Sequence, residues 1–341
     1  MAEPLLLAAA VLDAIDEPAL IVADQRTLAA NAAARALLGA AIVGRDVRLA
    51  FRHPLALDLV SSGKEGEIEV VGLGSADRPW RLHTRALAGG ATLVRLADRS
   101  AVQAAERMRT DFVANASHEL RTPLATIIGY AETLAEDGAI DPAMRARFGS
   151  TIEGEARRML RIVEDLMSLS RIEADRFNPP DEAVDLADVA RLAVEHAALL
   201  AQQRGCTIGL AADPALPAVR GDFGQLLQLA DNLIGNALRY GCSARRCAVD
   251  VAVRHHGQRV LLTVRDQGEG IAPLHIPRLT ERFYRVDAAR SRDSGGTGLG
   301  LAIVKHIVER HRGTLDIRSS PGNGTDVTVA IPAESAAVIK A

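Results

Sequence analysis

The sequence predicts a multidomain α+β protein made of three units in succession. In the first unit, short apolar runs alternate with turn residues. In the second, helix formers dominate and apolar residues recur at three- and four-residue spacings. In the third, helical patterns alternate with β-rich runs. A chain of 341 residues is long for one domain. We therefore expect domains at 1–97, 98–178 and 179–335, followed by a tail at 336–341.

The first unit has the signals of a small α+β domain. An apolar strand is predicted at 19–23, where it ends in a polar turn, and a helix is predicted at 31–39, with Gly39 as its stop. Three further strand-like runs are separated by turn residues, and they cover 67–71, 80–87 and 91–96.

The second unit is predicted to be an antiparallel helical hairpin. Apolar residues follow one stripe from 108 to 128 and another from 152 to 166. Residues 137–142 break the two helices, with Asp141 as N-cap and Pro142 in the first helical position. Because two helices alone bury such stripes poorly, we expect a homodimer that forms a four-helix bundle.

The third unit is predicted to be an α/β sandwich. Its helical patterns cover 186–203, 223–240 and 299–312, and a polar linker at 178–181 precedes them. The β-rich runs lie at 207–211, 247–254, 259–265, 314–318 and 326–331.

The composition excludes several classes of protein. The net charge of −3 gives no basic patch for nucleic acid or for an anionic membrane, so we expect no nucleic-acid partner. Cys206, Cys242 and Cys247 form no CxxC pair, so we expect reduced thiols rather than disulfides or a zinc site. No apolar run approaches ~20 residues. We expect the chain as given to be cytoplasmic. Membrane contact, at the inner membrane, would need an N-terminal anchor absent from this chain.

His118 is the first candidate catalytic residue. On a helix it lies opposite Ala116 and Leu120 of the apolar stripe, so its imidazole is predicted to face solvent. Glu119 could accept a ring proton, and Thr122, one turn on, could orient a water. Pro123 is predicted to kink the helix. A surface histidine beside a tolerated proline is the alternative that this motif alone leaves open.

Three further patterns suit a nucleotide. Asn232, Asn236, Arg239 and Tyr240 share one helical face that offers amide oxygens for Mg²⁺, a guanidinium for phosphate and a ring for a base. A polar helix face is an equally good explanation of this pattern.

The other two patterns are rich in glycine. Asp266 is followed by Gly268 and Gly270 directly after a strand, where a carboxylate can accept from an adenine amino group; alternatively, this is a turn. The segment 295–305 places glycines at the start of a helix, as phosphate sites do, although it lacks the end of a Walker loop and could be a glycine hinge.

Taken in order, these motifs resemble the H, N, G1, F and G2 boxes of sensor histidine kinases, over about 98–335. The H-box is 118–123, the F-box is 281–285, and 322–325 looks like the final glycine turn of the family. The resemblance implies a Bergerat-type ATP-binding fold with ATP and Mg²⁺. It implies that His118 receives the γ-phosphoryl group, with Glu119 as general base and Thr122 in phosphatase activity. The aspartate of a response regulator receiver domain would then accept the phosphoryl group.

The resemblance also implies the ATP contacts. Tyr284, Arg285 and the segment to Gly296 would form a lid, and the glycines around Gly298 would surround the phosphates. The full implied set is Asn232, Asn236, Arg239, Tyr240, Asp266, Gly268, Gly270, Tyr284, Arg285, Gly296, Thr297, Gly298, Leu299, Gly300, Leu301 and Thr325, with Asn236 as the Mg²⁺ ligand.

Two finer resemblances concern the signal. Residues 275–298 look like those of phosphate-regulon sensor kinases, and residues 1–97 resemble a PAS domain. The alternatives are a Bergerat-fold ATPase without histidine phosphotransfer, and a two-component protein that acts mainly as a phosphatase or scaffold.

Overall fold

A computed structural model describes residues 10–73, 78–136, 140–175, 178–241, 247–287 and 296–334. Its contacts divide the chain into two compact units, residues 1–114 and 115–341. Helices and sheets are both present, as the sequence predicts. The predicted tail and part of the predicted lid, 288–295, lie outside the described residues.

The first unit contains a five-stranded antiparallel sheet in the order β2-β1-β5-β4-β3. Phe51 is fully buried at its core, among the aliphatic side chains of the sheet and short helices. Strand β2, which follows β1 after a two-residue turn, was not predicted from the sequence. The elements are β1 Ala19–Ala23, β2 Arg26–Ala30, α1 Ala32–Leu38, α2 Pro54–Ser61, β3 Gly66–Val71, β4 Pro79–Ala86 and β5 Thr92–Asp98.

The helical hairpin consists of α3, Ser100–Ala135, and α4, Pro142–Ala174. Pro123 lies inside α3 without ending it. Several large apolar side chains of the hairpin stay exposed in the single chain, as an unfilled packing stripe would. They are Leu124, Ile128, Met144, Leu160, Val163 and Met167.

The third part of the chain is an α/β sandwich with a mixed sheet in the order β11-β12-β10-β9-β7. Alternate residues such as Val249, Val251 and Val253 are buried, so one face of the sheet packs against helices. Its elements are β6 Glu182–Val184, α5 Leu186–Gln203, β7 Thr207–Ala212, β8 Val219–Gly221, α6 Phe223–Tyr240, β9 Ala248–His256, β10 Arg259–Asp266, α7 Gly300–Arg310, β11 Thr314–Ser319 and β12 Thr325–Pro332.

A disulfide joins Cys206 and Cys247, contrary to the reduced thiols that the sequence predicted. The parallel pairing of β7 with β9 sets Thr207 opposite Ala248, so the two cysteines before these strands lie side by side. Their Cα atoms are 4.5 Å apart although 41 positions separate them in sequence. Only the strand register reveals this pair.

Candidate phosphotransfer site

His118 lies exposed on α3, as predicted from its position opposite the apolar stripe. The Thr122 hydroxyl donates to the carbonyl of His118, 3.3 Å away, so the threonine sits on the same helical face. Pro123 is buried one residue further on. One face of α3 therefore presents the His118 imidazole and the Thr122 hydroxyl to solvent.

A cavity of about 280 Å³ opens beside His118 and is shared with the sandwich. Two of its arginines are already paired: Arg278 with Glu281, at 3.2 Å, and Arg282 with Glu173 of α4. The cavity is lined by Asn115, His118, Glu119, Arg278, Glu281, Arg282, Phe283 and Tyr284. The predicted phosphoacceptor and the predicted F-box thus meet at one cavity.

Glu119 is held by two arginines from different parts of the chain. One of its carboxylate oxygens accepts from Arg158 of α4 at 2.9 Å and from Arg285 at 3.0 Å. The arginine side chains are only 7% and 8% exposed, so these charge-assisted hydrogen bonds are largely shielded from water. Sequence reasoning missed Arg158, because it belongs to no motif and sits on the opposite helix.

The segment around Tyr284 packs on itself. The tyrosine hydroxyl and His275 Nδ1 lie 2.6 Å apart, and the Arg278 guanidinium sits 4.3 Å above the tyrosine ring centroid. Phe283 donates its backbone N–H to the carbonyl of Gly298 at 2.8 Å. Gly298 has a φ of +76°, and a methyl group there would lie 2.9 Å from Phe283 Cα, so only glycine fits.

The predicted adenine pocket is assembled around Asp266, at the end of β10. Its Oδ1 accepts from the backbone N–H groups of Gly268, at 2.9 Å, and Thr325, at 3.2 Å. Burial raises the pKa of Asp266 above its usual value, against the lowering effect of these two hydrogen bonds. A methyl group at Gly268 would lie 2.6 Å from Gly241 Cα, so the loop and the end of α6 meet backbone to backbone.

The polar face of α6 lies beside the start of α7. A methyl group at Gly300 would lie 2.8 Å from Asn232 Oδ1, so glycine permits the close approach of the two helices. The Arg239 guanidinium lies back over Gly235, and burial lowers its pKa. The Tyr240 side chain is exposed at the end of α6.

The resemblance seen in the sequence implies ATP with Mg²⁺ at this site, with Asn236 as the metal ligand. In the described part of the chain, no group of three His, Cys, Asp or Glu side chains could hold a metal ion. Asn236 offers an amide oxygen on α6, and Mg²⁺ usually takes few protein ligands, together with phosphates and waters. The glycines at 268, 298 and 300 let neighbouring parts of the protein approach more closely than any side chain would allow, which keeps the loops around the site compact.

Comparisons with known proteins agree with this geometry. Residues 108–175 match the model of the His Kinase A (phospho-acceptor) domain, which includes His118. Residues 221–335 match the model of the histidine kinase-, DNA gyrase B- and HSP90-like ATPases, which includes α6, Asp266 and the glycine segments. The chain belongs to the histidine kinases. The match to the ATPase model identifies the sandwich as an ATP-binding domain.

Two curated sensor proteins are similar to this histidine kinase. The phosphate regulon sensor protein PhoR of Pseudomonas aeruginosa is 40% identical over 237 residues, which are 69% of this chain and 53% of that protein. The sensor-like histidine kinase SenX3 of Mycolicibacterium smegmatis is 38% identical over 240 residues, 70% and 62% of the two chains. The chain thus spans between half and two thirds of these relatives.

The fold is also found in a solved histidine kinase. The structure of AdeS from Acinetobacter baumannii matches with a TM-score of 0.51 at 23% identity and covers 64% of this chain and 98% of that one. The predicted fold class and the resemblance to sensor histidine kinases are confirmed. Among the described helices, none is long and apolar enough to span a membrane.

Proposed function

We propose that this histidine kinase transfers the γ-phosphoryl group of ATP to His118 and then to an aspartate of a separate response regulator. The observation that carries the proposal is the cavity shared by His118 and the F-box segment of the ATP-binding domain. A histidine exposed on a helix and facing such a domain is accessible to an in-line donor.

The first step makes one bond and breaks one. A ring nitrogen of His118 attacks the γ-phosphorus, a P–N bond forms, the bond to the bridging oxygen breaks and ADP leaves. Glu119 takes the proton from the ring. Mg²⁺, bound through Asn236 beside Asn232, would offset charge on the phosphates, while Arg239 would contact them and Asp266 would hold the adenine amino group.

In the described structure Glu119 is held by Arg158 and Arg285, so its carboxylate is not available to His118. The structure therefore represents a state before or after phosphoryl transfer. For Glu119 to serve as a base, the Arg285 segment has to leave it. We propose that the ATP-binding domain moves about the linker at 178–181, which brings the nucleotide to His118.

The remaining assignments are part of the same proposal. The exposed apolar side chains of the hairpin support a homodimer that forms a four-helix bundle. The antiparallel sheet with short helices supports a PAS-like sensor domain at 1–97, ahead of a phosphotransfer hairpin at 98–178 and a catalytic domain at 179–335. The place of Thr122 beside His118 supports phosphatase activity toward the regulator. The similarity to PhoR supports phosphate-regulon signalling, with anchoring at the inner membrane if the native protein carries an N-terminal anchor.

An ATPase without histidine phosphotransfer is the principal rival. To separate the two, the full chain is incubated with γ-labelled ATP and Mg²⁺ as wild type, as His118→Gln, and as His256→Gln, a control at an exposed histidine. The proposal predicts acid-labile label on the wild type and the control only. ATP hydrolysis without label on the protein, or equal label on His118→Gln, would overturn it.

A further inference from the structure

A carboxylate of the hairpin contacts the glycine segment that the proposed function assigns to the ATP phosphates. Asp165 Oδ2, on α4, accepts a hydrogen bond of 2.6 Å from the hydroxyl of Thr297. Thr297 lies three residues before α7 and belongs to the glycine segment that the ATPase model matches. A hydrogen bond of this length between a hydroxyl and a carboxylate is a strong one.

The contact also engages a backbone donor at the start of α7. Because Thr297 gives its proton to Asp165, a lone pair of its oxygen accepts the N–H of Leu299, 3.2 Å away. The N–H groups at a helix start are the ones that bind phosphate. The Thr297 hydroxyl is thus taken up by Asp165 and the Leu299 N–H by the Thr297 oxygen, so both donors are engaged within the protein.

The charges around Asp165 match those expected around a phosphate. Arg239 of α6 and Arg161 of α4 both attract the Asp165 carboxylate, while the neighbouring Glu164 repels it. Burial raises the pKa of Asp165, against the effects of its hydrogen bond and the two arginines. The carboxylate thus lies near Arg239, a cation that the proposed function assigns to ATP.

We infer that Asp165 is an internal competitor of the ATP phosphates and lowers the affinity of the site for ATP while the domain rests on the hairpin. The inference rests on the proposed function and names one way in which that function is regulated. Binding of ATP has to displace Asp165 from Thr297, so nucleotide binding also removes one of the contacts between the sandwich and α4. Adenosine, which has no phosphates, does not compete with the carboxylate.

The test measures the affinity of the full chain for a non-hydrolysable ATP analogue with Mg²⁺, and for adenosine, by calorimetry. Asp165→Ala removes the competitor, and Asp165→Asn removes only its charge. Glu153→Gln, at an exposed carboxylate of α4 that does not act on Asp165, is the control. Asp165→Ala is expected to bind the analogue about tenfold more tightly, since a hydrogen bond to a charged group is lost from the resting state. Asp165→Asn should show a smaller gain, and the control no change. Adenosine affinity should be unchanged in all three.

The same substitution made in a Thr297→Ala protein tests whether the change in affinity depends on Thr297. In Thr297→Ala the contact is already absent, so adding Asp165→Ala should change the analogue affinity much less than it does in the wild type. Equal analogue affinities of wild type and both Asp165 variants, or an equal gain for adenosine, would overturn the inference. If even the wild type binds no ATP analogue, the proposed function itself falls, and this inference with it. Thermal melting confirms that each variant is folded.

Discussion

Gly324 is predicted to be essential to the proposed adenine pocket because it packs against the backbone of Asp266. It has a φ of +70°, and a methyl group there would lie 2.1 Å from the Asp266 carbonyl oxygen and 2.9 Å from its carbon. Its own N–H donates to the carbonyl of Gly268 at 3.1 Å. Thr325, the next residue, donates to the Asp266 carboxylate.

The cost of Gly324→Ala has two parts. An alanine in the left-handed region costs roughly 1–2 kcal/mol. Overlap with backbone atoms that cannot rotate away adds about 1–3 kcal/mol. The sum, about 2–5 kcal/mol, is large for a single substitution. We therefore expect the turn to move away from Asp266 and the proposed pocket to open.

Gly322 in the same turn provides the matched control. Its φ is +85°, but a methyl group there would meet no atom within 4 Å, so Gly322→Ala carries the conformational cost without the overlap. Because both variants carry the conformational cost, they differ only by the overlap, about 1–3 kcal/mol. Titration with a non-hydrolysable ATP analogue should therefore show about 5- to 150-fold weaker binding for Gly324→Ala than for Gly322→Ala. Equal affinities of the two variants would refute the reasoning about this turn.

Three further predictions concern pH, the disulfide and Glu119. Burial raises the pKa of Asp266, and the ionised carboxylate is the better hydrogen-bond acceptor. The affinity for an ATP analogue should therefore fall on acidification, and it should begin to fall at a higher pH than an ordinary aspartate would give. Asp266→Asn should remove this dependence on pH. The raised pKa of Asp266 has the opposite effect on stability. Its contribution to the free energy of unfolding is fully present below the pKa of the unfolded state and is lost as the pH rises through the pKa of the folded state. Melting temperatures measured against pH would show this loss. Reduction of the Cys206–Cys247 disulfide, which closes 41 positions, should destabilise the sandwich by up to about 4 kcal/mol in thermal melts; alkylation of both cysteines without reductant would contradict the pairing. Glu119→Gln weakens the contact with two nearly buried arginines, so hydrogen exchange in the cavity-lining F-box segment should quicken, whereas Glu153→Gln, at an exposed carboxylate, should leave it unchanged.

The helices of the sandwich could be predicted from sequence because their signals are local. The predicted ranges 186–203 and 223–240 coincide with α5 and α6. Asp185 and Asp222 cap these helices through their side chains, and the apolar periodicity continues between cap and stop. The five main strands were placed within two residues for the same reason, whereas three-residue β6 and β8 are too short to show a period.

The site was predictable only as far as its motifs reach. Asp266 and Thr325, which were both named from motifs of the family, contact each other. The partners from the hairpin, Arg158 and Asp165, and the disulfide were not foreseen. These contacts join positions far apart in sequence, and their side chains are ordinary members of helical or strand patterns. Only the tertiary packing identifies them.

The most direct test of the account is to locate the phosphoryl group. The wild-type full chain is incubated with ATP and Mg²⁺, digested with trypsin at neutral to alkaline pH, and fragmented in the mass spectrometer. Phosphotransfer to His118 predicts one phosphoryl group on the peptide 110–121, assigned to His118 and lost after brief acid treatment. A phosphoryl group on another residue, or ADP formation with an unmodified 110–121 peptide, would contradict the central claim.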